Sequence, residues 1–349
     1  MPVPETVNVL LVSPRDDWAE RVRSVDPSRL HVTTLPASDF ADDEGAMYPP
    51  RWNADAAPTS NRDDRDQLLR EAHVILLGLP YPIRLYSRTR DLQWVHHPNA
   101  GTSNLWESDF WGASVPVTSS RGSNYALPIA ESVVAGALML ARGLHVGAQG
   151  SMRRRDYADN VTLAGKTMGI VGLGGIGGHV ARLAKGFGMT ILATRRSATE
   201  RTRDIDGVDE VLPASELHDM LSRSDFVAIC VMLTSETTGL LDSAAFAAMK
   251  PGALVINVAR GEVIDEPAMI AALAAGRLGG AYLDVYAGEL SGAPPPKALL
   301  ADPRVVLTPH VSNVADEPGA VGIDLFLENV RNFLDGKPLR NVIDWSRGY

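Results

Sequence analysis

Residues 167–188 read TMGIVGLGGIGGHVARLAKGFG. A short apolar run leads straight into glycines at 172, 174 and 177, and a helical pattern follows with Ile176, Val180, Leu183 and Phe187 on one face. Gly172 permits a tight turn, Gly174 lets the backbone approach a pyrophosphate, and Gly177 allows close helix–strand packing. Gly175 and Ile176 stand in the first helical turn, whose free amides and partial positive charge suit phosphate groups. The hexapeptide alone says little in a chain with 31 glycines. Set between a strand and a helix, it reads as a dinucleotide-binding turn.

Working outward, the strand at 167–171 opens a series that continues at 190–194, 226–231, 253–258, 280–285 and 305–308. An earlier series runs 7–12, 31–35, 73–77, 93–96 and 115–118, each strand bounded by Pro, Gly, Ser or Asp. Helical patterns separate the strands, and near-continuous apolar runs indicate parallel strands buried on both faces. The expected fold class is therefore α/β, with two doubly wound parallel-sheet domains. The first series lacks a glycine turn, since SPRDDW follows residue 12. Residues 126–145 form a long apolar helix pattern expected to cross between the domains, and an apolar helix at 320–334 is expected to return to the first. The domains then fall at 1–125 plus 315–349 and at 126–314. Residues 36–66, rich in Asp, Pro, Ala and Asn, read as a surface excursion without periodic structure.

Composition narrows the class. Hydrophobic residues at 45% and charged residues at 21% describe a globular chain. A net charge of −9 disfavours nucleic acid and anionic membranes as partners. Cys230 is the single cysteine, so no intrachain disulfide or multi-cysteine metal site can form, and its apolar run suggests an inert core thiol. The N-terminus lacks the pattern of a signal peptide, and the richest apolar stretch, 133–141, is too short to span a bilayer; a cytoplasmic protein is expected.

The end of the second strand of the cofactor series bears on which dinucleotide is held. An NAD site carries Asp or Glu about 20 residues beyond the glycine turn, bonding the ribose hydroxyls. Here that place holds Arg195, followed by Arg196 and Ser197. Arginines attract a 2′-phosphate and bond it directly, so NADP is the expected cofactor and NAD the second candidate.

From residue 233 the chain reads LTSETTGLLDSAAFAAMKPGALVINVARGEVIDEPAMIAALAAGRLGGAYLDVYAGE, then LTPH at 307–310. In KPGALVINVARG, GGAYLDV and TPH, in that order behind the glycine turn, it resembles the D-isomer-specific 2-hydroxyacid dehydrogenases, which include the glyoxylate/hydroxypyruvate reductases. The resemblance runs from about residue 91 to 310 and is faint before 74. It implies a Rossmann cofactor domain inserted in a flavodoxin-like substrate domain, a cleft between them and a homodimer paired through the cofactor domain. It further implies hydride transfer between NAD(P)(H) and a small D-2-hydroxy acid or 2-keto acid. Arg260 matches the arginine that binds the substrate carboxylate, and a planar guanidinium suits that job. His310 matches the general acid/base. Glu289 matches its partner carboxylate, which favours the imidazolium. By the same resemblance Asn99, Ala100 and Gly101 cradle the substrate carboxylate and Asp284 accepts from the nicotinamide carboxamide. Val258, Ala259 and Ser312 line the cofactor, and Thr234 lies beside its adenosine half. No metal is implied.

The chain also departs from the pattern. Leu290 stands where a proline usually follows the glutamate, SGAPPPK comes next, VSNVADEP follows TPH, and Met232 replaces a common proline. Trp52, Tyr81, Trp106 and Tyr125 are candidates to wall the cleft, with ordinary packing as the plainer reading. A family enzyme for another small anion, such as formate or phosphite, is an alternative; formate dehydrogenases carry glutamine at the place of Glu289. A dinucleotide-sensing corepressor on the same fold is another. A methyltransferase built on a glycine-rich turn would not need the Arg–Glu–His set.

Overall fold

The computed structural model describes residues 2–15, 17–41, 47–48, 58–121, 126–148, 160–315 and 323–348. The chain divides into two compact units, Met1–Asn124 with Leu290–Gly292 and Asp316–Tyr349, and Tyr125–Glu289 with Ala293–Ala315.

In the first unit, β1 (Val7–Val12), α1 (Trp18–Arg23), β2 (Leu30–Leu35), β3 (Met47–Tyr48), α2 (Arg62–Glu71), β4 (Val74–Leu77), β5 (Tyr81–Pro82), β6 (Trp94–His97) and β7 (Val117–Ser119) follow in turn. Five of the strands form a parallel sheet in the order β2-β1-β4-β6-β7. Alternate residues of one strand point to opposite faces. Accordingly Val7, Val9, Leu11, Val74 and Leu76 enter one core, while Leu10, Val12, Ile75 and Leu77 enter the other. That double burial is why these strands read as unbroken apolar runs. Leu290 packs against the second of these cores.

The described parts of the excursion expected over 36–66, residues 36–41, 47–48 and 58–66, are more ordered than its composition suggests. Residues 37–40 form a short 3-10 turn that buries Phe40, β3 pairs antiparallel with β5, and α2 already starts at Arg62. Its polar residues bond one another instead of water. Asp39 is buried and accepts from the Thr59 N–H and hydroxyl and the Ser60 hydroxyl, at 2.6, 2.8 and 2.7 Å. Asn61 caps α2 through the Asp64 N–H at 2.9 Å. Tyr81 is core, its hydroxyl donating to Asn104 O at 2.7 Å, while Trp106 stays half-exposed. Trp52 and Tyr125 lie outside the described residues.

In the second unit come α3 (Ala126–Arg142), α4 (Leu144–Ala148), β8 (Thr167–Val171), α5 (Gly175–Gly186), β9 (Thr190–Arg195), β10 (Thr202–Ile205) and β11 (Val208–Pro213). They are followed by α6 (Leu217–Arg223), β12 (Phe226–Ile229), α7 (Ser243–Ala248), β13 (Ala253–Asn257), α8 (Glu266–Ala274), β14 (Leu278–Leu283), α9 (Lys297–Ala301) and β15 (Val305–Leu307). The sheet order is β10-β11-β9-β8-β12-β13-β14-β15, parallel except for the β10–β11 hairpin. The strand series lacked that hairpin. Its two-residue turn, Asp206–Gly207 with φ of 53° and 80°, has the Asp-Gly signature of a type I′ turn.

Three further expectations are corrected. The helix over 126–145 is two helices interrupted after Arg142, and α3 buries Ile129, Val133, Ala137 and Leu140. It packs on α5, β13 and β14 within its own unit, so its apolar pattern is explained by that core. The buried face of α5 is Gly177, Val180, Ala181 and Ala184, because small side chains let it lie close to its neighbours, and Phe187 is exposed. Cys230 follows the end of β12 and is half-buried at the strand end instead of lying in the core, though burial of its sulfur pushes the thiol up to about 12.

The final helix, α10 (Asp324–Leu334), belongs to the first unit, where Ile323, Phe326, Leu327 and Val330 complete one of its cores. Phe326 is fully buried and stacks on Trp94 with ring centroids 5.0 Å apart. Phe326→Ala is therefore expected to cost about 3–5 kcal/mol. Tryptophan fluorescence in urea measures it; a loss under about 1 kcal/mol would contradict this packing.

Candidate active site

Doubly wound sheets bind ligands beyond the carboxyl ends of their strands, where the strand order reverses. In the second unit that point lies between β8 and β12. The glycine turn stands there. Gly172 has φ 100°, and a Cβ on it would lie 2.7 Å from Val231 Cγ1; a Cβ on Gly177 would lie 2.3 Å from Gly172 O. Both positions therefore exclude side chains, and the Leu173 N–H donates to Thr194 O at 2.8 Å, tying the turn to β9. Gly174 precedes α5 with nothing within 4 Å of a Cβ, so the first helical turn, with Gly175 and Ile176, is open to a ligand phosphate. In the first unit the order reverses between β1 and β4, which places Ser13 and Gly78 at the corresponding ends. The sequence reading passed over that pair. Asn99, Ala100 and Gly101 follow β6 in the same unit, half-buried, and Asn99 O accepts from the Ser120 N–H at 3.2 Å.

Arg195 ends β9, and Arg196 and Ser197 follow it, all three exposed. Nearby Arg201 binds Glu210, Glu216 and Asp219, and Arg223 binds Glu210 and Asp219. Among the described residues Arg195 has no carboxylate partner. Thr234 is buried in a turn in which its N–H donates to the Thr237 hydroxyl at 2.8 Å.

The loops after β13, β14 and β15 carry the other sequence-derived residues. After β13, Val258 and Ala259 are buried and Arg260 is half-buried, its Nη1 donating to Ala259 O at 2.7 Å. This loop is held by the side chain of Asn257, which is fully buried. Its Oδ1 accepts from the Ala259 N–H at 3.0 Å, and its Nδ2 donates to Arg260 O at 2.9 Å. Asn257 was not singled out from the sequence. Its signal is a polar residue closing the apolar strand ALVIN.

After β15, His310 takes φ 54° and half-buries its imidazole, with Nδ1 2.9 Å from Glu289 Oε1. A non-glycine residue in that backbone region costs about 1–3 kcal/mol and needs support from its surroundings. Asp284 supplies that support from both sides of the histidine. Its Oδ1 accepts from the Thr308 hydroxyl at 2.5 Å and the Val311 N–H at 3.0 Å, and its Oδ2 from the Ser312 N–H at 2.9 Å. The residue is fully buried, so these loop groups take up most of its acceptor capacity.

The segment before Glu289 is held in the same way. The Ala287 N–H donates to Glu266 at 2.8 Å and the Gly288 N–H to Glu262 at 2.9 Å. Burial holds the Glu266 carboxyl above the ordinary range; the bond from Ala287 opposes this and the neighbouring Glu262 adds to it. Among the described residues no group of three His, Cys, Asp or Glu could hold a metal ion, and no helix is long and apolar enough to cross a membrane.

Replacing Asp284 with asparagine keeps the shape but removes one acceptor oxygen and turns an amide toward an N–H donor. A buried group left unpaired costs about 1–3 kcal/mol. Asp284→Asn is expected to lose that much in chemical denaturation; stability within error of the parent protein would show that these bonds do not hold the loop.

Comparison with known proteins places this geometry. Residues 134–312, more than half of the chain, match the family model described as D-isomer specific 2-hydroxyacid dehydrogenase, NAD binding domain. A glycerate dehydrogenase of Methylorubrum extorquens is 32% identical over 269 residues, 73% of this chain and 79% of that protein. A D-3-phosphoglycerate dehydrogenase of Archaeoglobus fulgidus is 29% identical over 290 residues, covering 80% of this chain but only 53% of that longer protein. Among solved structures, a D-isomer specific 2-hydroxyacid dehydrogenase of Xanthobacter autotrophicus Py2, in complex with NADPH and MES, superposes with a TM-score of 0.76 at 26% identity. That superposition covers 99% of this chain and 100% of the other. The chain belongs to the D-isomer specific 2-hydroxyacid dehydrogenase family.

Proposed function

We propose that this chain reduces a small 2-keto acid to the D-2-hydroxy acid, and catalyses the reverse oxidation, with NADP(H) preferred over NAD(H). The observation that carries the reading is the His310–Glu289 pair, 2.9 Å apart, on a sheet whose neighbouring strand end bears Arg260 and whose switch point bears the glycine turn. The cofactor fits the residues present, because Gly172 and Gly177 allow the tight turn and the open space at Gly174 bares the first helical turn to a phosphate. When bound, it supplies or accepts the hydride.

The chain's own side chains supply the rest. Arg260 binds the substrate carboxylate through its planar fork and polarises the keto oxygen. His310, with Nδ1 directed at Glu289, presents Nε2 to the substrate oxygen, giving up a proton in reduction and taking one in oxidation. The Glu289 carboxylate fixes the direction of the imidazole through that contact. His310→Ala is expected to lower kcat roughly 10²- to 10⁴-fold. In Glu289→Gln the imidazolium loses its counter-charge, so the alkaline limb of the reduction profile moves to lower pH. Turnover near the parent level in His310→Ala would reject this mechanism.

Cofactor choice rests on Arg195, an exposed cation at the end of β9 where a carboxylate would repel a 2′-phosphate. One good charge-assisted contact discriminates roughly 10- to 150-fold. kcat/KM measured with both cofactors at one ionic strength is expected to favour NADPH at least tenfold, and Arg195→Asp to shift the ratio toward NADH. A tenfold preference of the parent enzyme for NADH would overturn the assignment.

A further inference from the structure

We propose that Glu262 and Glu266 are positioning residues that set the Glu289 carboxylate against His310 and tie it to the loop of Arg260. The inference rests on the proposed acid/base role of His310.

Residues 284–288 link β14 to Glu289. The amides of Ala287 and Gly288 are taken up by two side chains from one neighbouring segment. Glu266, in the first turn of α8, accepts from the Ala287 N–H at 2.8 Å, and Glu262 accepts from the Gly288 N–H at 2.9 Å. The next residue is Glu289, whose Oε1 meets His310 Nδ1 at 2.9 Å and whose buried Oε2 has no hydrogen-bond partner among the described residues. With one oxygen unanchored, the direction of that carboxylate depends on its backbone.

The same segment joins the arginine. Glu262 follows Arg260 by two residues, and Gly261 lies between them against the Glu289 loop. A Cβ on Gly261 would fall 1.9 Å from Tyr286 C and 2.1 Å from Ala287 N. The two loops thus touch backbone to backbone at Gly261 and are bonded just beyond that contact by Glu262 and Glu266. A shift of the Glu262–Glu266 segment would move Glu289 and Arg260 together.

The test is an NMR titration of the His310 imidazole in the full chain without substrate, run beside kinetics. Glu289→Gln should lower the imidazole midpoint, because the imidazolium loses its counter-charge. Glu262→Ala and Glu266→Ala should move the midpoint in the same direction. They should also lower kcat roughly tenfold, the scale of a small misplacement of a reacting group. Glu262→Gln and Glu266→Gln keep an acceptor oxygen and should restore both. In a Glu289→Gln background, either alanine change should leave the midpoint where it is. An unchanged His310 midpoint in both alanine variants overturns the proposal, as does a shift that persists without Glu289. If one alanine variant does not fold, the other carries the same comparison. Failure of the dehydrogenase reading shows separately, as a parent protein that turns over no 2-keto acid while the titration still reports on the pair.

Discussion

The Asp284 carboxylate, fully buried at the end of β14, accepts from the Thr308 hydroxyl and from the amides of Val311 and Ser312. Withdrawing a carboxylate from water costs several kcal/mol, and only well-formed bonds offset it. Hydrogen bonds to a charged group contribute about 1.5–3 kcal/mol each, so three donors meet that requirement. In return the chain acquires a fixed loop of irregular backbone in which His310 can occupy φ 54°. Beyond β15 the Thr308 N–H still bonds Leu283 O at 3.0 Å, and past it the Asp284 side chain holds the loop on both sides of His310.

The device recurs at the adjoining strand ends. Asn257 holds the loop of Arg260, and Glu262 with Glu266 holds the loop of Glu289. Buried backbone amides must find acceptors, and where the sheet stops these side chains provide them. The arrangement also answers an electrostatic difficulty. Four carboxylates, at 262, 266, 284 and 289, surround a site proposed to bind an anion. Three of them turn oxygens to backbone amides and the fourth turns one to His310.

Much of this was legible in the sequence. Strands buried on both faces appear as apolar runs, so the two sheets could be read from periodicity, and the Gly172–Gly177 spacing has few other uses. Arg260, Glu289 and His310 could be located by the resemblance of the motifs around them to the family, not by the strand pattern alone. The residues that hold them could not. Asn257, Glu262 and Glu266 bond backbone groups, and a backbone partner leaves no mark in the sequence. The β10–β11 hairpin was missed for a different reason. Its edge strand TRDI is half-exposed and polar, so no apolar run announces it, although Asp206–Gly207 was the turn signal to follow. In residues 36–66 the bias toward Asp, Pro, Ala and Asn read as a surface excursion, whereas Asp39, Thr59, Ser60, Asn61 and Asp64, among its described residues, cap and cross-link one another.

Which arginine can serve a phosphate also follows from pairing more than from position. Arg195, Arg201, Arg203 and Arg223 all belong to the β9–β11 region or to α6, which succeeds it. Glu210, Glu216 and Asp219 engage Arg201 and Arg223, and Glu210 itself is held below its usual range, first by its bond from Arg223. Those cations are committed to the protein's own acids. Arg195 instead ends the strand whose neighbour leads into the glycine turn, with Thr194 paired to Val171. Its charge is exposed and therefore screened by salt. A preference resting on it should weaken as ionic strength rises, which separates a phosphate–arginine contact from selection by the shape of the turn.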